Sequence, residues 1–397
     1  GLTEVELIKG ASALKYGSEA IGGLLYFKDT PFTSSDKLKG FIFSGFNNSS
    51  YLSSSKFGIK WNKKRLYFNL YGQYSISSDY RLPNNTYLFN SRFQQNAIKF
   101  SLGYRYKNWQ NIFRCQIHAE VSGIPGHVHE DPSEVDLIEI TSSELSLSTD
   151  FKATRPTQFV KNQLFIYESN YMVNNFKVEF YAGHFINNLK EHEKWTRPSF
   201  DLNLSNTLLS PSLRYTSDKL SLQLGSQLIF QDNKNNINDR LVPDASSFNL
   251  GPYILIEYEK DNFGINSGVR YDYKRLTSDD QVLGLDYDNS FKSTSFSSGL
   301  YYRFIDHIFR ITFSGAYRSP HVSELFSDGV HHGTSRYEIG NEQLDIEYAN
   351  QIDFKYQWSN DHLGIVVNPF IQYISDFISL DPTDSVISGY KVYNYMQ

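Results

Sequence analysis

The chain has 397 residues, of which 29 are Tyr, 30 Phe and 4 Trp, while only 20% are charged and the net charge is −5. So mild a charge gives no reason to expect a nucleic-acid partner, and a single Cys excludes both a disulfide framework and a Cys-built metal site. The longest apolar runs, 24–27 and 253–256, are four residues long; a spanning helix needs about 18 or more, so helical membrane spans are excluded and an aromatic-rich, β-prone protein remains.

In chain order, 5–8 reads as a short strand, Gly10 as a turn, and the small residues up to Tyr16 as a helical turn that Gly17 breaks. Gly22-Gly23 then leads into an apolar strand ending near Asp29 and Pro31. This density of Gly and Ala suits a compact packed unit, so residues 1–31 are expected to be separate from a β-domain over 32–397. From 38 onward, period-2 alternation dominates. In 263–273, Phe263, Ile265, Val269, Tyr271 and Tyr273 share one face, with Gly264, Asn266, Gly268, Arg270 and Asp272 opposite. The segments 66–76, 220–230 and 346–358 repeat the pattern. The alternation predicts about sixteen strands, at 38–47, 51–61, 65–76, 96–106, 108–121, 163–173, 176–187, 208–216, 219–230, 250–260, 262–273, 294–304, 307–317, 346–358, 362–374 and 388–396. Most have 10 to 13 residues. Soluble strands average about 5–6, whereas a tilted membrane-spanning strand needs about 9–11.

The connections alternate. Short ones fall at 62–64, 107, 174–175, 217–218, 261, 305–306 and 359–361; long ones at 77–95, 122–162, 188–207, 231–249, 274–293, 318–345 and 375–387. Only the first hairpin, at 48–50, is short on the long side. Short turns on one side and long loops on the other are the topology of an outer-membrane barrel. The fold expected is therefore all-β, a transmembrane antiparallel β-barrel with apolar faces to lipid and polar, Gly-bearing faces to the lumen. Tyr74, Phe230, Tyr273, Tyr317 and Trp358, at strand ends, fit interfacial girdles. The long loops are extracellular if residues 1–30 enter from the periplasm.

Two stretches carry a resemblance. In 5–27, Gly10, Tyr16, Gly17, Ser18, Ala20, Ile21, Gly22 and Gly23 match the end of the plug domain of TonB-dependent outer-membrane receptors. Ala11, where that family usually has Pro, and Lys15 depart from it. At 317–344, Tyr317-Arg318-Ser319-Pro320, then Ser323-Glu324-Leu325-Phe326, then 337–344 with Gly340-Asn341 and Leu344, resemble the same family's barrel signature. The resemblance implies a barrel of about 22 strands occluded by a plug, with about sixteen of the strands here and the chain a fragment. It implies a receptor that binds a scarce metal chelate outside the cell. TonB, with its proton-driven inner-membrane complex, would then pull on the plug. The protein would perform no covalent chemistry and carry no resident cofactor.

The histidines are the most informative polar set. His127 and His129 lie on the longest loop, and His331 and His332 follow the Arg-Ser-Pro box. Imidazoles and carboxylates there could hold zinc or iron or ligate haem, or could be exposed loop residues without a partner. Arg318 suits an anionic siderophore, or pairs with Glu324 to hold the loop base. Tyr80, Tyr87 and Tyr337 could stack on a planar ligand or pack the loops together. His118 and His184 fall within strands and read as wall residues. The acidic run 133–150 reads as a solvated loop face. No nucleophile elbow, phosphate loop or paired catalytic carboxylates is present, and no enzyme is expected. The ligand expected is a ferric siderophore, with haem or zinc as the alternative and a passive porin-type channel as a further one.

Overall fold

The computed structural model describes residues 2–8, 10–17, 23–83, 86–125, 139–140, 151–153, 156–192, 197–238, 240–331, 334 and 336–397. Near the start, β1 (Leu2–Ile8) and β2 (Leu24–Asp29) pair antiparallel on either side of a 3-10 helix, Gly10–Tyr16. The wall begins with β3 (Lys39–Asn47), β4 (Leu52–Lys63) and β5 (Leu66–Ser77). Two short loop strands follow, β6 (Tyr80–Arg81) and β7 (Tyr87–Leu88), then β8 (Phe93–Tyr106) and β9 (Trp109–Gly123). The loop strand β10 (Glu139–Ile140) pairs back onto β7.

Eight long strands come next: β11 (Thr157–Val173), β12 (Phe176–His192), β13 (Phe200–Thr216), β14 (Leu220–Asn235), β15 (Ala245–Lys260), β16 (Phe263–Asp280), β17 (Leu285–Phe304) and β18 (His307–Arg318). The helix α1 (Val322–Phe326), β19 (Asp328–His331) and β20 (Arg336–Ile339) interrupt the wall. It resumes in β21 (Glu347–Ser359), β22 (Gly364–Val367) and β23 (Phe370–Ser375), and the chain closes with β24 (Ser379–Ile387) and β25 (Tyr390–Met396).

One antiparallel sheet holds sixteen of these strands, in sequence order from β3 to β21, with β22 and β23 both paired to β21, one after the other along its length. The strands form because their alternation matches an inside-out environment. On β16, Val269 and Tyr271 are exposed while Arg270 and Asp272 are buried. On β14, Leu224 and Phe230 are exposed while Gln223 and Gln227 are buried. A soluble sheet would bury the first set; a wall with lipid outside and a polar lumen buries the second.

The short turns are tight. Lys64, Lys107, Asn174, Asp261 and Ile305 each begin a two-residue turn in the left-handed region, at φ of 57°, 51°, 49°, 53° and 52°. Asn and Asp tolerate that region; a β-branched Ile does not.

Two expectations are corrected. The stretches 188–207, 231–249 and 274–293 are not plain loops. Strands continue through most of them, and β16 and β17 stay paired up to Asp280 and Leu285. Polar alternation above the apolar band hides such extensions from a reading based on hydrophobic faces. The segment 388–396 is also not a wall strand. β25 joins a separate four-stranded sheet in the order β19-β20-β25-β24, parallel to β20 and turned from β24 by Ser388-Gly389. Its alternation is real, but periodicity does not say which sheet a strand enters.

Candidate functional site

Two constructions occupy the barrel: the N-terminal helix inside the lumen and a cap on the long-loop side.

The helix 10–16 packs against the lumen faces of β14–β18. Leu14 is buried against Tyr253 and Leu255. Gly268 has no side chain, and a Cβ there would press on Leu255 and Leu14. The helix's C-terminal carbonyls are then taken up by the wall. Arg270 Nη1 donates to the Leu14 carbonyl at 3.1 Å, and Gln227 Nε2 donates to the Tyr16 carbonyl at 3.3 Å. Arg270 also donates to Gln227 Oε1 at 3.0 Å and grips Asp272 through both Nε and Nη2, each at 2.7 Å. This bidentate pair is fully buried, so the guanidinium is neutralised and still has a donor for the helix.

At the end of β2 the chain is strapped to the opposite part of the wall. Asp29 is an ion-pair partner of Lys99 and of Arg114, whose Nε lies 2.9 Å away; Arg114 Nη1 in turn donates to Glu168 at 2.6 Å. The Thr30 carbonyl accepts from Asn69. Between helix, strap and wall lies a cavity of about 800 Å³, lined among others by Lys15, Tyr26, Lys99, Arg114, Glu168 and Tyr181. It lies in the short-turn half of the lumen.

On the other side, Arg318 ends β18 and reaches two carboxylates. Its Nε and Nη2 donate to Glu347, at 2.9 and 3.2 Å, and its Nη1 donates to Glu324, at 2.9 and 2.7 Å. Glu347 also accepts from the Ile378 amide, and Glu324 from that of His321. Above this knot sits an apolar core of Ala245, Leu276, Phe291, Leu325, Phe326, Leu344 and Ile378. Gly340 is needed because a Cβ there would strike the backbone at Leu325 and Phe326.

His331 Nδ1 lies 2.8 Å from Glu338, which also accepts from Arg336 Nε at 2.7 Å and from the Tyr395 hydroxyl at 3.3 Å. Burial alone would raise the Glu338 carboxyl, but the His331 and Arg336 bonds outweigh it and hold it below its ordinary value. Tyr395 is pushed up to about 12, by burial and by the Glu338 charge. Tyr337 donates to Asp328 at 2.8 Å, and that bond, with burial, raises its phenol.

Of the residues singled out from sequence, Gly10, Tyr16, Gly17 and Gly23 belong to the docked segment or flank it, with Gly17 at φ 140° and Gly23 at φ 104°. Ser18, Gly22, His127, His129 and His332 lie outside the described residues. Arg318, His331 and Tyr337 fall in the cap, each engaged with a carboxylate. Tyr80 is exposed and Tyr87 buried. Among the described residues no three His, Cys, Asp or Glu side chains gather as a metal site. His118 and His184 are wall residues; His118 lies 3.7 Å from Glu120, and His184 bonds Thr207. Sequence reasoning missed the Arg270–Asp272–Gln227 anchor and the Asp29 strap. The signal available was an opposite-charge pair two residues apart, Arg270 and Asp272, on the lumen face of β16.

A family model described as a TonB dependent receptor-like β-barrel matches residues 16–396. Solved structures share the fold. The siderophore receptor PirA from Pseudomonas aeruginosa is 14% identical, with all of this chain and 66% of that one covered and a TM-score of 0.72. The FrpB iron transporter from Neisseria meningitidis is 12% identical, with 100% and 63% covered and a TM-score of 0.75. The Serratia marcescens hemophore receptor HasR, in complex with its hemophore and heme, is 11% identical, with 100% and 64% covered and a TM-score of 0.73. The chain thus spans less than two thirds of the length of each.

Proposed function

The chain belongs to the TonB-dependent receptor family, and from that premise we propose that it works in the outer membrane as a TonB-energised receptor importing an iron chelate such as a ferric siderophore. The observation that carries the reading is the helix 10–16, lodged inside the lumen by buried Ala11, Ala13 and Leu14 and by two hydrogen bonds from the wall. A segment held this way obstructs passage at rest and can be drawn off the wall by a pull. Each hydrogen bond lost costs about 0.5–1.5 kcal/mol, and Arg270 remains satisfied by Asp272 after the helix leaves. A passive porin has no use for such a segment. TonB and its proton-driven complex supply the pull, and the apolar outer face of the wall meets outer-membrane lipid.

A second ligand, haem or a metal ion such as zinc, is favoured by one observation. His331 is partly exposed on the long-loop side and orients its ring through Glu338, the carboxylate–imidazole arrangement that prepares a nitrogen for a metal.

Growth and uptake by cells carrying the complete gene and lacking other iron receptors test both readings. Ferric siderophore, haem and zinc are supplied separately, with and without TonB. TonB-dependent growth on the siderophore is expected. Growth on haem or zinc that is lost in a His331→Ala/His332→Ala variant would replace the ligand. Uptake indifferent to TonB would sink the transporter reading.

A further inference from the structure

The lumen face of β11–β14 differs in its two halves. Near the short turns it carries charge: Glu168, Lys177, Glu179 and Arg214. Toward the long loops the same face continues, by the unbroken registers of these strands, through Asn162 on β11, Asn187 on β12, Asn206 on β13 and Gln231 on β14. Asn187 donates to Asn162 at 2.6 Å, and Asn206 to Gln231 at 3.4 Å. Apolar side chains, Phe185 and Leu204 among them, share this face. Lysines at that height point the other way: the registers put Lys161, Lys190 and Lys234 on the outer face, with Asn188 and Asn203. Four of the described long-loop arginines are also committed to carboxylates, while Arg197, in the loop between β12 and β13, is exposed. Arg92 is paired with Asp79, Arg240 with Asp280, Arg318 with Glu324 and Glu347, and Arg336 with Glu338.

We propose that this carboxamide-and-apolar face is a ligand-binding surface, and that it takes an uncharged chelate with apolar edges and exposed carbonyl, hydroxyl or N–H groups. The proposal rests on the iron-chelate reading and narrows it to a neutral class. Each carboxamide has two donor hydrogens and an acceptor oxygen, so one bond to a neighbour leaves capacity for a ligand of either polarity. A pocket that is mainly apolar with a few placed polar groups is the ordinary form of a small-molecule site. Among the described residues, the long-loop half of this face presents no cation to offset the desolvation of a multiply charged anion, which is large unless the charge is paired. An iron(III) trihydroxamate is neutral, because three monoanionic groups balance the metal. An iron(III) tricatecholate stays trianionic and is disfavoured here.

The test is calorimetric binding to the complete receptor, folded in detergent, with a ferric trihydroxamate and a ferric tricatecholate as probes. The unaltered protein should bind the trihydroxamate more tightly by about tenfold or more. The pair Asn206→Leu with Gln231→Leu removes two polar edges of similar size; losing about one net hydrogen bond corresponds to a weakening of about tenfold. A single Asn206→Lys should shift the preference toward the tricatecholate. The charge comparison on the unaltered protein does not depend on any variant folding. A tighter tricatecholate, or trihydroxamate binding unmoved in a folded double variant, would overturn this proposal and leave the iron-chelate reading standing. Binding of neither chelate, with haem or zinc bound instead, would bring down both.

Discussion

The docked helix and the cap are held by opposite means. The helix 10–16 rests on one buried leucine, two small buried alanines, and hydrogen bonds from Arg270 and Gln227 to its terminal carbonyls. The cap rests on seven buried apolar side chains and on Arg318, locked between two carboxylates. When the helix leaves, Arg270 keeps Asp272. When the cap opens, an apolar core meets water and Glu347, nearly fully buried, loses its surroundings. The first attachment is cheap to release and the second is not, as expected if the lumen segment moves during transport and the cap stays as scaffold.

The largest expected effect breaks the cap. Arg318→Met leaves Glu324 and Glu347 without a cation, and stranding a buried charge costs about 3–5 kcal/mol. Protease cleavage within 319–346 should accelerate, and hydrogen exchange should rise in α1, β19 and β20 while helix 10–16 keeps its protection. If Arg318→Met left cap exchange unchanged, the ion-pair knot would not be what holds the cap.

Leu14→Ala makes the complementary break. The small cluster that Leu14 forms with Tyr253 and Leu255 puts its loss near the low end for leucine truncation, about 2 kcal/mol. Exchange at 10–16 should rise with the cap unaffected. Loss of cap protection in the same variant would mean that the two regions unfold together and that the contrast between them is false.

Changing pH acts on the cap in a defined window. Glu338 is held below its ordinary value of 4.5 in the folded state. Its contribution is in place above pH 4.5 and is lost as pH falls further and the folded carboxylate takes a proton. Tyr395 is raised from 10.0 to about 12, so its contribution is in place below pH 10 and is lost as pH climbs toward 12. Cap exchange should therefore be flat between these limits and rise outside them. Against the effect of burial, Arg318 holds Glu347 below its ordinary value as well, so a Glu338→Gln variant should weaken the acid-side dependence without abolishing it; an acid limb that persisted unchanged would mean that Glu338 contributes nothing to it.

The wall was legible in the sequence because the environment reverses its faces along nearly every strand. Leu224 and Gln223, or Val269 and Arg270, announce lipid and lumen without knowledge of the fold. Strand length was less legible. Beyond the apolar band the outer face turns polar, as at Arg275, Thr277 and Asp279, and the alternation fades although the pairing continues. The cap's sheet was illegible for another reason: the parallel pairing of Arg336 with Lys391 joins residues far apart in sequence, and no local pattern encodes that choice. At the candidate site, the Gly10–Gly23 motif marked the lumen segment, while its receptor, Arg270, looked like one more polar lumen residue. By residue type the Arg318 guanidinium suits either a ligand or Glu324; the structure displays the pair with Glu324, with Glu347 added.

A substitution in neither region sharpens the comparison most, although its effect is the smallest. Ile305 begins the turn between β17 and β18 at φ 52° and is 82% exposed, so it carries a left-handed backbone with no packing to compensate. For a residue with a Cβ that conformation costs about 1–2 kcal/mol, and Asn bears it better than a β-branched side chain. Ile305→Asn should raise the denaturant midpoint of the barrel by the equivalent of about 1 kcal/mol. Helix and cap exchange should stay where they were, because the turn touches neither. If wall stabilisation slowed exchange in the helix but not in the cap, the helix would be opening through the wall and not by lifting off it, and the polar contacts at Arg270 would cease to be the release point.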